Sequence, residues 1–214
     1  MKRIFNRLAS LMLSIIIILS MTAMAGAADL NAYEDVEAGS FAGYSTAELN
    51  SLIDAISSGY AVGASSSTDT LAAAWYAAAQ IARNEGYPLA ATLVEHSVDD
   101  EDYSEFDGDF AEEITGTSVY TAWFSKLAAG TASSSMTFTK KSSADLYYAL
   151  HKVSVEAEQY GTTFWITVSD TFDFDVDANY DSLFSAIVNN WAWLSQQTGA
   201  LNAISISISF IDGV

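Results

Sequence analysis

The sequence predicts an α+β fold, a helical first half packed on a C-terminal antiparallel sheet. Three observations carry that expectation. Apolar residues recur at helical spacing in the first part of the chain. They then recur at every second position: Met136 and Phe138; Val153, Val155 and Ala157; Phe164, Ile166 and Val168; Ile204, Ile206, Ile208 and Phe210. Half of the 214 residues are hydrophobic and 13% are aromatic, enough to build a core in a chain with no cysteine to staple it.

At the N-terminus Lys2, Arg3 and Arg7 precede an apolar run from Leu11 to Leu19, and Ala23-Met24-Ala25 and Ala25-Gly26-Ala27 offer two small-residue cleavage sites. That order reads as a secretory signal peptide over residues 1–27, with the mature chain starting at Gly26 or Ala28. The apolar run is shorter than the ~20 residues a membrane span needs. Residues 28–214 then form a single secreted domain. Ser45-Thr46-Ala47-Glu48 is a capping box that starts a helix, and a helical segment with an αα-hairpin fills about 45–128. The hairpin pairs a helix from about Asp69 to Glu85, with a stripe of Leu71, Trp75, Ala78 and Ala82, and a helix begun by Pro88. Residues 99–109 read as a solvated acidic loop. Short helices are expected over 109–115 and 118–128. Strands are expected at about 134–139, 146–158, 163–176 and 203–211, with one long helix at about 179–197.

All 27 acids lie beyond the signal, against five bases: Arg83, Lys126, Lys140, Lys141 and Lys152. The mature chain therefore carries a net charge of −22. Nucleic acid and anionic lipid are excluded as partners, because both are held by Lys and Arg on phosphates. No association with the membrane is expected once the signal is removed. Cysteine chemistry is excluded outright, and the chain contains no phosphate-binding glycine loop, H-E-x-x-H or G-x-S-x-G motif.

One pair of polar residues falls in inward strand register. A hairpin turning at Tyr160-Gly161 has partner numbers summing to 321, which pairs Ala157 with Phe164, Val155 with Ile166, Val153 with Val168, and His151 with Asp170. A histidine donating to an inward carboxylate serves either as a clasp that sets the register or as the oriented half of an acid–base site. His96 and Glu95, on the helix begun by Pro88, are the other candidate catalytic residues if that helix covers the sheet.

Asp173, Asp175, Asp177, Asn179 and Asp181 stand at alternating positions and resemble the opening of a calcium-binding EF-hand loop, with the four aspartates as candidate ligands. Ala178 stands where such a loop has its turning glycine, and Phe184 where it has its closing glutamate. The alternative is the wet face of a strand whose other face holds Phe172, Phe174 and Val176. Calcium is the one cofactor this spacing suggests; otherwise none is expected. Trp165, outward on its strand opposite Glu156, and Trp193, off the core stripe of its helix, are candidate binding residues. The leading expectation is an exported acidic domain that binds an extracellular or cell-surface ligand. A secreted hydrolase built on His151 and Asp170, and a structural protein of the envelope, are the alternatives.

Overall fold

A computed structural model of the chain describes residues 36–49, 51–52, 68–173 and 199–213. The signal-like N-terminus and the helix expected at about 179–197 lie outside the described residues. The chain divides into two compact units, one holding the described residues up to 85 and 199–202, the other 86–173 and 203–213.

In the first unit the capping box forms. The Ser45 amide and hydroxyl donate to the Glu48 carboxylate at 2.8 and 2.7 Å, and the Glu48 amide donates to the Ser45 hydroxyl at 3.4 Å. Those bonds hold the Glu48 carboxyl below the usual range and start a helical turn over 46–49. Helix α1 (Thr68–Asn84) lies within a residue of its expected bounds. Leu71 and Trp75 are buried, but so are Ala73, Ala74, Tyr76, Ala77, Ala79 and Ile81. A helix buried on more than one side is an interior helix, and its alanines allow neighbours to approach closely.

The second unit holds α2 (Pro88–Asp99), β1 (Tyr103–Phe106), α3 (Asp109–Thr115), α4 (Ser118–Ala128), β2 (Ser135–Thr137), α5 (Ala144–Ala149), β3 (Lys152–Tyr160), β4 (Thr163–Phe172) and β5 (Ile204–Gly213). The α+β plan holds, with helices in the N-terminal half and strands concentrated toward the C-terminus. Two details differ from expectation. The sheet is mixed and five-stranded, in the order β1-β5-β4-β3-β2. Its extra strand is β1, inside the stretch expected as an acidic loop, and it runs parallel to β5. The Asp102 carboxylate accepts the Ser205 amide at 2.7 Å, which fixes where those two strands begin to pair. Residues 146–149, expected to open a strand, belong instead to α5. Ser143 caps that helix by accepting the Leu146 amide at 3.2 Å.

One core fills this unit. Leu89 and Leu93 of α2, Phe110 and Ile114 of α3, Tyr120 and Trp123 of α4, and Leu146 of α5 pack against Val153, Val155, Phe164, Ile166, Val168, Ile206, Ile208 and Phe210. All those strand residues lie on one face of the sheet, and these helices cover that face. Sheet and helices are joined by polar contacts as well. The Tyr120 hydroxyl donates to Asp212 at 2.7 Å, and burial with that contact raises the Tyr120 pKa. Glu105 accepts the Tyr103 hydroxyl at 2.8 Å and the Ala111 amide at 2.9 Å, capping α3 from the neighbouring strand.

The start of α2 has no cap of its own. Tyr87 occupies the N-cap without a side-chain bond. Pro88 brings no amide, the Ala91 amide reaches the Tyr87 carbonyl at 3.1 Å, and Leu89 and Ala90 remain. Both donate to the buried Asp145 carboxylate of α5, each at 2.9 Å. Asp145→Ala should lower unfolding free energy by about 2–3 kcal/mol, because it leaves two helix-terminal donors without a partner. Asp145→Asn, which keeps one acceptor oxygen, should lose about half as much. Urea unfolding of the three proteins, followed by far-UV circular dichroism, checks the order.

Candidate functional site

The expected histidine–aspartate pair is not formed. The β3–β4 hairpin turns at Gly161-Thr162, and its partner numbers sum to 323: Val155 faces Val168, Ala157 faces Ile166, and Tyr160 faces Thr163. Glycine decides this offset. Gly161 has φ +68°, and Thr162 is not at positive φ. That geometry suits a two-residue turn with glycine at its first central position. A turn at Tyr160-Gly161 would have forced a tyrosine toward positive φ, which its Cβ resists. The shift of two residues keeps every side chain on its expected face but moves the pairing.

His151 is thereby placed outside β3. It follows α5 in the left-handed region, φ 44°, and is exposed. Its amide donates to the Leu146 carbonyl at 3.0 Å, and its carbonyl accepts the Phe138 amide at 2.7 Å. Its ring stands edge-on to Tyr147, 5.1 Å between centroids. Asp170 does lie on the inward face, after Val168, but opposite Ile206 of β5. It is half-buried, accepts the Thr171 amide at 2.9 Å, and its pKa is pushed up to about 6. Burial is the main cause and the nearby Asp173 adds to it, against the lowering effect of the amide bond.

His96 lies on α2 with Nδ1 3.3 Å from the Glu101 carbonyl and its ring edge-on to Tyr103 at 5.0 Å. Glu95 is buried on the same helix. No hydrogen bond, ion pair or ring contact joins His96, His151 and Asp170 among the described residues. Of the alternating acids, Asp173 is exposed just beyond β4, while Asp175, Asp177 and Asp181 lie outside the described residues, as does Trp193. Among the described residues no three acids or histidines are grouped as metal ligands.

The other candidate, Trp165, lies where a ligand could meet it. Facing away from the core, strand pairing lines up a row of serines across all five strands: Ser104, Ser207, Ser169, Ser154 and Ser135. At about 4.8 Å per strand the row spans about 19 Å. Next to it Phe106, Ser209, Thr167 and Glu156 form a second row, and then Ile211, Trp165 and Glu158 a third. The short hydroxyl side chains leave the large ones standing above the surface. Phe106 is 55% exposed, Ile211 53%, Tyr160 63% and Trp165 40%. The Phe106 and Trp165 rings lie 5.1 Å apart, tilted by 33°. Trp165, Tyr160, Thr167, Glu156 and Glu158 together line an open hollow of about 220 Å³.

Sequence reasoning placed Trp165 on the outward face but paired it with Glu156; the true neighbour across the strands is Glu158. Phe106 went unnoticed because its strand is short and acidic. Ile211 was legible, since Phe210 points inward and the next residue of a strand must point out.

The unit is thus an α+β layer pair with one sheet face covered by helices and the other presenting hydroxyls, aromatic rings and two carboxylates. No family model, curated protein or solved structure matches the chain. Among the described residues no helix is long and apolar enough to cross a membrane.

The half-buried carboxyl of Asp170 has a pH signature. A folded-state pKa near 6, above the unfolded value, means that the folded protein holds this proton more tightly. Stability from this group is therefore full below about pH 4 and lost as pH rises through 6. Asp170→Asn, always neutral and still able to accept from Thr171, should be more stable than the parent at pH 7 by about 1–2 kcal/mol, allowing for solvent screening of a half-exposed group. The difference should vanish near pH 4. Thermal unfolding of both proteins across pH 4–8 checks this.

Proposed function

We propose that this chain is an exported acidic binding module that engages a ligand at or outside the cell surface through the open face of its sheet. The observation that carries the reading is Trp165, 40% exposed in the middle of that face and flanked by Phe106. An indole so placed forgoes burial that would stabilise the fold, and large aromatic rings on a polar surface are the usual anchors of recognition. The signal-like residues 1–27 support export, and a chain of net charge −19 with so few bases is unsuited to nucleic acid or anionic membrane. The hydrolase reading gains nothing from the arrangement of His151 and Asp170, which belong to different segments of the fold.

The test is binding to envelope fragments of the producing cell. The double variant Phe106→Ala/Trp165→Ala should bind at least tenfold more weakly than the parent, while its melting temperature stays within about 3 °C, as expected for surface positions. Undiminished binding by a folded double variant overturns the reading. Mass spectrometry of the protein recovered outside the cell should show a chain beginning at Gly26 or Ala28.

A further inference from the structure

The hollow beside Trp165 has a chemistry of its own. Its walls are two carboxylates, Glu156 and Glu158, two aromatic rings, Trp165 and Tyr160, and the Thr167 hydroxyl, with no lysine or arginine among them. Glu156 and Glu158 project from the same side of β3, two residues and about 7 Å apart. Glu156 faces Thr167 across the strands rather than a base. Glu158 accepts the Tyr160 hydroxyl at 2.7 Å, which fixes its carboxylate at the rim. The one base on this side of β3, Lys152, is four residues from Glu156, roughly 13 Å along the strand. Two uncompensated carboxylates next to an exposed indole attract a cation twice over, through charge and through the ring quadrupole. They repel an anion.

The surroundings narrow the class further. Apart from Trp165 itself and Ile211, which faces it, the outward positions of β4 and β5 near the hollow are hydroxyls: Thr163, Thr167, Ser169, Ser207 and Ser209. A surface of short donors and acceptors beside a flat ring suits a polyhydroxylated ring that stacks on its apolar face and hydrogen-bonds at its edge. Resting on the reading of this face as a binding surface, we infer that the hollow takes a positively charged amino sugar of a glycan, its protonated amine set between Glu156 and Glu158 and its ring stacked on Trp165. The charge of the whole chain, −19, draws such a polymer toward the site and makes binding sensitive to salt.

Isothermal titration of the purified protein with glucosamine oligomers, their fully N-acetylated counterparts and lysine oligomers of equal length tests this. The glucosamine oligomer should bind at least tenfold more tightly than the acetylated one, and more tightly than the lysine oligomer. Trp165→Ala and Glu156→Gln/Glu158→Gln should each weaken it at least tenfold. Glu101→Gln/Glu112→Gln, which removes two charges elsewhere on the surface, should leave it within twofold. Equal binding of the acetylated oligomer, tighter binding of the lysine oligomer, or indifference to the Glu156/Glu158 variant overturns the inference. If the aromatic double variant loses envelope binding while glucosamine oligomers do not bind, the inference fails and the binding surface stands. If envelope binding survives that variant, the surface itself is wrongly assigned.

Discussion

The second unit depends on one carboxylate. Asp145 closes the N-terminus of α2 from a helix more than fifty residues downstream, at 2.9 Å to both Leu89 and Ala90. A helix that begins with proline and has no side-chain cap must find acceptors elsewhere for its orphan amides. Here that need becomes a tertiary constraint, because α5 can satisfy it only from one position. Burial raises the Asp145 pKa, with the Ala90 and Leu89 amides opposing and the Glu113 charge reinforcing the shift. The carboxylate is thus costly to bury and stays only because the two amides meet it. Fixing α5 also fixes the start of β3. His151 ends the helical turn at positive φ, with its carbonyl on Phe138, and β3 starts at the next residue in line with β2.

From there the sheet is built by alternation, and alternation produces two unlike faces. The inward positions of β3, β4 and β5 are mostly Val, Ile and Phe in one core with the helices, with Asp170 and Asp212 toward the strand ends. The outward positions are mostly serine and threonine. Serine is a poor strand former with little to pack against a neighbour, so a row of five across the sheet adds less stability than valine or threonine would. What it provides is a low, wet surface above which Trp165, Phe106 and Tyr160 project. Glutamates on that surface and a strongly negative net charge add like-charge repulsion between copies of the face.

Strand faces were legible because any hairpin register with an odd pair sum puts Val153 and Val155 on the same side as Ile166 and Val168. Both 321 and 323 meet that condition, so hydrophobic pattern alone cannot choose between them. The choice was made by Gly161, whose positive φ fits one position of the turn. The pairing of His151 with Asp170 rested on that choice and failed with it. Residues 146–150 alternate Leu146, Tyr148 and Leu150 as a strand would. Ser143 and the tertiary role of Asp145 make them a helix instead, and no local pattern contains a contact to Leu89. Strand β1 is four residues long with a polar middle, held by its parallel pairing to β5, a partner about a hundred residues away. The outward Trp165 needed only the alternation. The site around it needed the register, because the residue across from the indole is Glu158 under one pair sum and Glu156 under the other.

Acidic residues do opposite work on the two sides of this sheet. On the covered side a carboxylate is tolerated where amides meet it, as at Asp145, or is pushed toward protonation, as at Asp170 with its pKa near 6. On the open side Glu156 faces Thr167 and Glu158 accepts the Tyr160 hydroxyl, away from the core. A carboxyl whose ionisation costs stability, such as Asp170, constrains the fold, whereas an acid on the uncovered face packs against nothing in the core. Composition alone says only that the chain is acidic. The distinction between acids that hold the fold and acids that can act on something else comes from which side of the pleat each one occupies. That division sets Glu156 and Glu158 on the face opposite the core, beside Trp165 and Tyr160.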